Sequence, residues 1–219
     1  YPNAYPGTFP DQYPNAYPGT YPNNGGYTYP NSYPNPAPVA QAIVPNVNRM
    51  AAALRAAGGR VVWIQTDSRE ATAKWSNHQK YKLTPERAAA RLRLLSDSHD
   101  GFKLYPELEA QADDLYVRKI MFSAILPNSG DLDRVLRQHG IENLLVAGTK
   151  TNVCCESTAR DASMMEYRVA MLSDATATST DEEHAAALNG FQVSFGDVMT
   201  VDEAIARLAP AARKSAAAS

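Results

Sequence analysis

The chain has 219 residues, of which 44% are hydrophobic and 20% are charged, and its formal net charge is −2. A chain of this length and composition forms one sizeable domain or at most two small ones. The near-neutral charge argues against a nucleic-acid-binding protein, which normally carries a basic excess. The longest apolar runs are five or six residues, too short to span a bilayer. We therefore expect neither a nucleic-acid partner nor a membrane partner.

The compartment is indicated by the termini and the cysteines. The N-terminus lacks the basic segment and apolar core of a secretory signal. The two cysteines, Cys154 and Cys155, are neighbours in the sequence, and neighbouring cysteines rarely form a structural disulfide. A reducing compartment is favoured, and the predicted localisation is cytoplasmic.

Residues 1–38 differ sharply from the rest of the chain. They contain eight of the twelve tyrosines, ten of the fifteen prolines and one charged residue, Asp11, in a twelve-residue repeat. Proline at every fourth position disfavours both helices and central strands, so composition alone favours an extended or disordered tail. We predict three parts: this repeat segment, a domain over residues 39–209, and an alanine-rich tail over residues 210–219.

From Val39 onward, predicted helices and strands alternate. In chain order, the patterns predict a helix over Ala40–Ala57, a strand over Arg60–Thr66, a helix over Thr84–Leu95, a strand over Leu115–Lys119, a helix over Asp131–His139, a strand over Asn143–Gly148, a helix over Cys154–Met165, a strand over Arg168–Ser173, a helix over Asp181–Phe191, a strand over Gly196–Thr200 and a helix over Val201–Leu208. This alternation is typical of an α/β fold: a doubly wound parallel sheet of about six strands with helices on both faces, a three-layer sandwich.

Cys154 lies where such folds place their functional sites, outside the carboxyl end of a strand. It follows the strand over Asn143–Gly148 and begins a helix, whose N-terminus stabilises a thiolate and binds an oxyanion. The alternative is a small buried cysteine, which is our interpretation of Cys155, about 100° further around the helix. No phosphate-binding glycine motif is present, and the four histidines lack metal-ligand spacing. We predict no cofactor and no metal.

Three segments carry a resemblance to a known family. They are GTKTNVCCESTARDA (residues 148–162), YRVAMLSDATA (167–177) and DEEHAAALNGF (181–191). Together with the sequence that follows, they resemble the isochorismatase-like cysteine hydrolases, and most of all the ureidoacrylate, biuret and N-carbamoylsarcosine amidohydrolases. The resemblance covers roughly residues 39–209.

The resemblance implies an Asp–Lys–Cys triad. Cys154 would attack a carbonyl carbon, and Lys119 would lie beside the thiolate as its positive partner. The amides of Lys150 and Cys154 would form the oxyanion hole, preceded by a cis peptide bond at Thr149–Lys150. The family also implies a homodimer or homotetramer. We predict that the Cys154 Sγ lies within about 4–5 Å of the Lys119 ammonium, both facing one pocket.

The third member of the triad is harder to place. The family's aspartate follows the first strand, and the repeat segment occupies that position here. Asp11 is the only carboxylate before Asp67 and is the candidate, although counting back from the first helix leads instead to Asn23 and Asn24. Because a parallel sheet needs its central strand, we also predict that part of residues 5–30 pairs in the sheet. The rival expectation is a tail on the surface.

Three functions follow from this reasoning. The first is a cysteine hydrolase that cleaves a C–N bond of a small amide, ureide or carbamoyl substrate through a thioester. The second is a catalytically silent binding protein that retains the pocket but lacks the aspartate. The third is a vinyl-ether hydrolase acting on isochorismate, which Cys154 makes less favoured. We expect the irregular residues 67–84 to line the pocket.

Overall fold

The computed structural model describes residues 37–208. The chain divides into two units, Tyr1–Asn35 and Pro36–Ser219, and all described residues belong to the second. The predictions for the repeat segment, for Asp11, for a strand within residues 5–30 and for the tail over residues 210–219 lie outside the described residues. Within them, no helix has both the length and the apolar character needed to cross a membrane.

Eight α-helices and five strands make up the described part of the chain. They are α1 (Ala37–Ala42), α2 (Val44–Ala56), β1 (Val62–Thr66), α3 (Ala71–Lys74), α4 (Pro85–Leu94), β2 (Leu115–Lys119), α5 (Leu132–Gln138), β3 (Asn143–Thr149), α6 (Glu156–Met164), β4 (Arg168–Ala177), α7 (Asp181–Ser194), β5 (Asp197–Met199) and α8 (Val201–Leu208). Single π-helical turns at His78–Lys82 and Thr151–Cys155 and a 3-10 turn at Asp100–Phe102 complete the list.

The strands form two parallel sheets. In one, β1 pairs with β2 from Val62↔Leu115 to Thr66↔Lys119. In the other, the order is β3-β4-β5, with a register shift between Val146 and Gly148. The α/β class and the parallel pairing agree with the sequence-based expectation. Residues 37–208 supply five strands in two sheets, where about six in a single sheet were predicted.

Most predicted elements are found within a few residues of their expected ends, and the differences have local causes. The first predicted helix is divided between α1 and α2, because Pro45 occupies the first turn of a separate helix. Helix α4 begins after Thr84, whose side chain accepts a hydrogen bond from the Arg87 amide. Strand β4 continues four residues past the predicted Ser173, to Ala177.

The core lies on both faces of the three-stranded sheet. Alternate residues of β4 point to opposite faces, so Val169 and Met171 join one apolar cluster while Ala170 and Leu172 join the other. The first cluster packs against α5, α6 and α7 and includes Val117 of β2. The second packs against α2 and α8. Helices therefore cover both faces, as a three-layer sandwich requires.

A buried ion pair connects α2 to the first sheet. The Asp114 carboxylate accepts hydrogen bonds from Arg55 Nη2 at 2.6 Å and Trp63 Nε1 at 2.7 Å, and from the Gln111 amide at 2.8 Å. Burial raises the pKa of Asp114, but these bonds and the Arg55 charge outweigh it and hold that pKa below its usual value. The carboxylate precedes β2 directly, so it fixes the start of the strand that ends at Lys119.

Candidate active site

The structure brings Lys119 and Cys154 together. Lys119 is the last residue of β2, and Cys154 lies in the helical turn that follows β3. The Lys119 Nζ donates to the Cys154 Sγ at 3.3 Å, which confirms the predicted distance. Lys119 is 5% exposed, whereas Cys154 is only partly buried. The site is therefore a buried cation beside an accessible thiol.

The ammonium of Lys119 has a restricted set of neighbours. Besides Cys154, it donates to the Met121 carbonyl at 2.9 Å. Among residues 37–208, no carboxylate oxygen lies within 4.0 Å of it. A buried cation strongly favours a nearby anion, and the ionisable side chain that the ammonium contacts in this part of the chain is Cys154.

The turn before Cys154 is held by side chains. The peptide bond Thr149–Lys150 is cis, as predicted, and Gly148 has φ +110°, a backbone conformation that favours glycine. The fully buried Thr151 hydroxyl bonds to His184 Nδ1 at 2.9 Å, and His184 Nε2 lies 3.0 Å from the Ser173 carbonyl. Because a carbonyl only accepts, the His184 Nε2 carries a hydrogen and donates it to Ser173.

Cys154 occupies the first turn of a continuous helical segment. The π-helical turn Thr151–Cys155 leads directly into α6, so Cys154 lies near a helix N-terminus. The Thr158 hydroxyl donates to the Cys154 carbonyl at 2.8 Å and accepts from the Ala124 amide at 3.1 Å. Thr158 thus joins the helix that carries the cysteine to the loop that follows Lys119.

Cys155 is a core residue, as the sequence indicated. It is 5% exposed and belongs to the cluster that includes Phe191. Burial, and to a lesser extent the charge of Cys154, raise the pKa of the Cys155 thiol to about 12, although the charge of Lys119 partly opposes them. A thiol with this pKa stays protonated at neutral pH. Of the two cysteines, Cys154 is the one with a partly accessible thiol.

An aromatic wall adjoins the site, and sequence reasoning identified it only in part. The rings of Trp75 and His78 stack with their centroids 3.8 Å apart, and Phe122 packs edge-on against them at 4.7 and 5.4 Å. Burial, and then the charges of Arg91 and Lys82, lower the pKa of His78, so its ring is neutral at neutral pH. The expectation that residues 67–84 line the pocket includes Trp75 and His78, but Phe122 and Arg91 gave no separate signal.

Asp67 is the carboxylate that follows β1 at the same sheet edge, and it is engaged elsewhere. Hydrogen bonds from Arg69, outweighing the effect of burial, lower the pKa of Asp67, and the charges of Arg69 and Arg118 add to this. Its backbone amide donates to the Lys119 carbonyl at 2.7 Å, but its carboxylate is hydrogen-bonded and ion-paired to Arg69 and Arg118 and not to Lys119 or Cys154. In residues 37–208 there is also no group of three or more His, Cys, Asp and Glu side chains suited to a metal ion.

These features define a parallel α/β domain with a cysteine–lysine pair at its carboxyl edge. The isochorismatase domain family matches residues 26–203, and the chain belongs to this family of hydrolases, which confirms the resemblance seen in the sequence. The match begins after Asp11.

The similar proteins include named enzymes. Ureidoacrylate amidohydrolase RutB of Pseudomonas savastanoi pv. phaseolicola is 33% identical over 182 residues, covering 79% of this chain and 74% of that protein. A cysteine hydrolase from Pseudomonas syringae pv. phaseolicola is similar in structure, with a TM-score of 0.67 and 28% identity over 78% of this chain and 81% of its own. An isochorismatase-like hydrolase from Alkaliphilus metalliredigens gives a TM-score of 0.61 and 31% identity, covering 76% and 83% of the two chains.

Proposed function

We propose that this protein is a cysteine hydrolase that cleaves a C–N bond of a small amide, ureide or carbamoyl substrate. The observation that supports this proposal is the contact of 3.3 Å between the Lys119 Nζ and the Cys154 Sγ at the carboxyl edge of the sheet. A lysine in that position stabilises the thiolate, which is the nucleophilic form. The amidohydrolases among the similar proteins support the same reaction class.

The reaction proceeds in two steps. The Cys154 thiolate attacks the carbonyl carbon, and the amides of Lys150 and Cys154 stabilise the resulting oxyanion. The C–N bond then breaks, the amine takes a proton and leaves, and a thioester remains on Cys154. Water adds to the thioester, the acid departs and the thiol is regenerated. No cofactor takes part in this scheme.

The proton transfers require a third group. The family pattern assigns it to an aspartate, and Asp11 is the residue we propose for this role. The absence of a free carboxylate beside Lys119 among residues 37–208 also favours a second candidate function, a silent binding protein that keeps the pocket. The two functions differ in turnover and not in ligand binding.

The test is ammonia release from a substrate panel. Wild type is incubated with ureidoacrylate, biuret, nicotinamide and N-carbamoyl amino acids, beside Cys154→Ala and the matched control Cys155→Ala. We expect wild type and C155A to release ammonia from at least one compound and C154A from none. Mass spectrometry of acid-quenched mixtures then detects the acyl adduct on the peptide that contains Cys154. Turnover by C154A, or no turnover by wild type, contradicts the proposal, and binding without turnover favours the silent protein.

Assembly as a homodimer or homotetramer is part of the same proposal. Several large apolar side chains are exposed on the described surface, among them Val193 at 84% and Met164 at 65%. The oligomeric state stays a prediction that sedimentation tests. A species of only 23.8 kDa would contradict it.

A further inference from the structure

Arg91 is a partly buried cation for which the described part of the chain provides no carboxylate partner. It lies on α4, and its guanidinium carbon is 5.5 Å from the centre of the Trp75 ring. Its Nη2 makes one long hydrogen bond, 3.4 Å to the Ile120 carbonyl, and its Nε is buried without a hydrogen-bond partner. Within residues 37–208, no carboxylate oxygen lies within 4.0 Å of Arg91.

Other partly buried arginines differ from Arg91 in this respect. Arg55 is paired with Asp114 at 2.6 Å and Arg160 with Glu156 at 2.6 Å. An unpaired buried donor costs free energy, and an unpaired buried charge costs more. A guanidinium with an unsatisfied Nε–H is therefore suited to binding an anionic ligand. Its parallel N–H groups can donate two hydrogen bonds to the two oxygens of one carboxylate.

The position of Arg91 links it to the cysteine. Arg91 contacts the carbonyl of Ile120, the residue that follows Lys119 in the chain. The side chain of Lys119 in turn contacts Cys154. Burial lowers the pKa of Arg91, while the nearby Cys154 thiolate raises it, and an arginine remains charged in either case. Among residues 37–208, a thiolate at Cys154 would thus have two cations near it, Lys119 and Arg91.

The aromatic wall adds a second unsatisfied group beside the guanidinium. His78 Nδ1 is buried without a hydrogen-bond partner, and its ring is stacked on Trp75, over which Arg91 lies. An aromatic face, an imidazole nitrogen without a hydrogen-bond partner and the guanidinium therefore lie next to one another.

We infer that Arg91 is a specificity-determining residue that binds a carboxylate of the substrate. The substrate class is then an amide or ureide that carries a carboxylate close to the scissile C–N bond. The inference rests on the proposed function for the reaction, but the preference for an anion is a property of binding and is tested without turnover.

The experiment measures binding to the Cys154→Ala variant by calorimetry. The ligands are 3-ureidopropionate and N-carbamoylglycine, each compared with its neutral carboxamide. We expect the acids to bind roughly ten- to a hundred-fold more tightly than the amides, the range of a charge-assisted hydrogen-bonded pair. Adding Arg91→Gln removes this preference, and adding Arg91→Lys restores part of it, because lysine keeps the charge but not the fork.

The matched control is Arg93→Gln, at an exposed position of the same helix, which we expect to leave all affinities unchanged. Equal affinity for acids and amides in C154A, or no binding of either acid, overturns the inference, as does a loss of affinity for acids and amides alike in R91Q. These outcomes do not depend on catalysis. A wild type that binds the acids tightly but releases no ammonia contradicts only the proposed reaction. In an active enzyme, R91Q raises KM for the acids by the same factor and leaves kcat almost unchanged.

Discussion

Replacing Lys119 with methionine tests how the thiolate of Cys154 is stabilised. Methionine has a similar length and volume and no charge, so Lys119→Met removes the ammonium at 3.3 Å from the Sγ without placing a new charge in a site that is 5% exposed. It also removes the hydrogen bond to the Met121 carbonyl. We expect the thiolate fraction at neutral pH to fall, and the reaction with iodoacetamide to slow down.

The magnitude follows from the distance. Two unit charges 3.3 Å apart interact by about 5 kcal/mol at an effective dielectric constant of about 20 and by about 1 kcal/mol in bulk water. Measured effects of an opposite charge at this range correspond to roughly 1.4–4 kcal/mol, or about 10- to 1000-fold in the thiolate fraction. A more basic thiolate is intrinsically more reactive, which offsets about half of this on a logarithmic scale. The net decrease in rate is roughly 3- to 30-fold.

The assay is the second-order rate constant for alkylation between pH 5 and 8, with modification of Cys154 followed by mass spectrometry. Lys103→Met is the control, because Lys103 is exposed and paired with Asp100, and thermal unfolding checks that both variants fold. An unchanged alkylation rate in folded K119M would refute the reasoning, since it would mean that the lysine contact does not stabilise the thiolate.

Three further changes give distinct outcomes. Cys155→Ala removes a buried thiol and should cost about 1 kcal/mol in urea unfolding, while the alkylation rate of Cys154 stays within about two-fold; a large loss of reactivity would mean that Cys155 also shapes the site. Asp114→Asn breaks the buried pair with Arg55 and should cost about 3 kcal/mol at pH 7. Because the folded-state pKa of Asp114 is depressed, its contribution is complete above the unfolded-state pKa of about 3.9 and is lost as the pH falls through the lower folded-state value, so the difference between wild type and D114N should shrink in acid. Asp11→Asn should lower kcat by about 100-fold or more without weakening ligand binding, and full activity in D11N would remove Asp11 from the mechanism.

The sequence predicted most of the architecture, because the signals that it carries are local. The β-branched run that ends at Thr66 and the T-P-E-R start of α4 each specify an element through short-range chemistry. Cys154 was found through its position after a strand, and Lys119 was found through the resemblance to the family. Strand β4 extends past the predicted end at Ser173 to Ala177, and its additional residues include the buried Ala175 and Thr176. Their burial results from tertiary packing, which a local sequence pattern does not predict.

The pocket wall could not be predicted for a similar reason. Residues 67–84 have no regular period, so nothing in them shows that Trp75 and His78 stack or that Phe122 meets them. Arg91 is one of several charged residues on α4, where a charge normally faces solvent. Its burial depends on the loop after Lys119, which provides the Ile120 carbonyl, and this is a long-range contact.

The sheet edges give the strongest physical argument about the part of the chain outside the described residues. Among residues 37–208, β1 pairs with β2 along one edge, and β3 pairs with β4 along one edge. The second edge of each of these two strands, β1 and β3, has no partner strand in this part of the chain. Parallel sheets of this class are buried on both faces, and each buried backbone group without a partner costs about 1–3 kcal/mol. We therefore keep the prediction that part of residues 5–30 pairs with β1 or β3, although the prolines in this segment have no backbone N–H to donate to a neighbouring strand. Hydrogen exchange tests it: on the full chain, we expect slow exchange of the amides of β1 and β3 that point to their second edges. Fast exchange of these amides in a stably folded protein would show that the edges are open and would weaken the claim of Asp11 to the site.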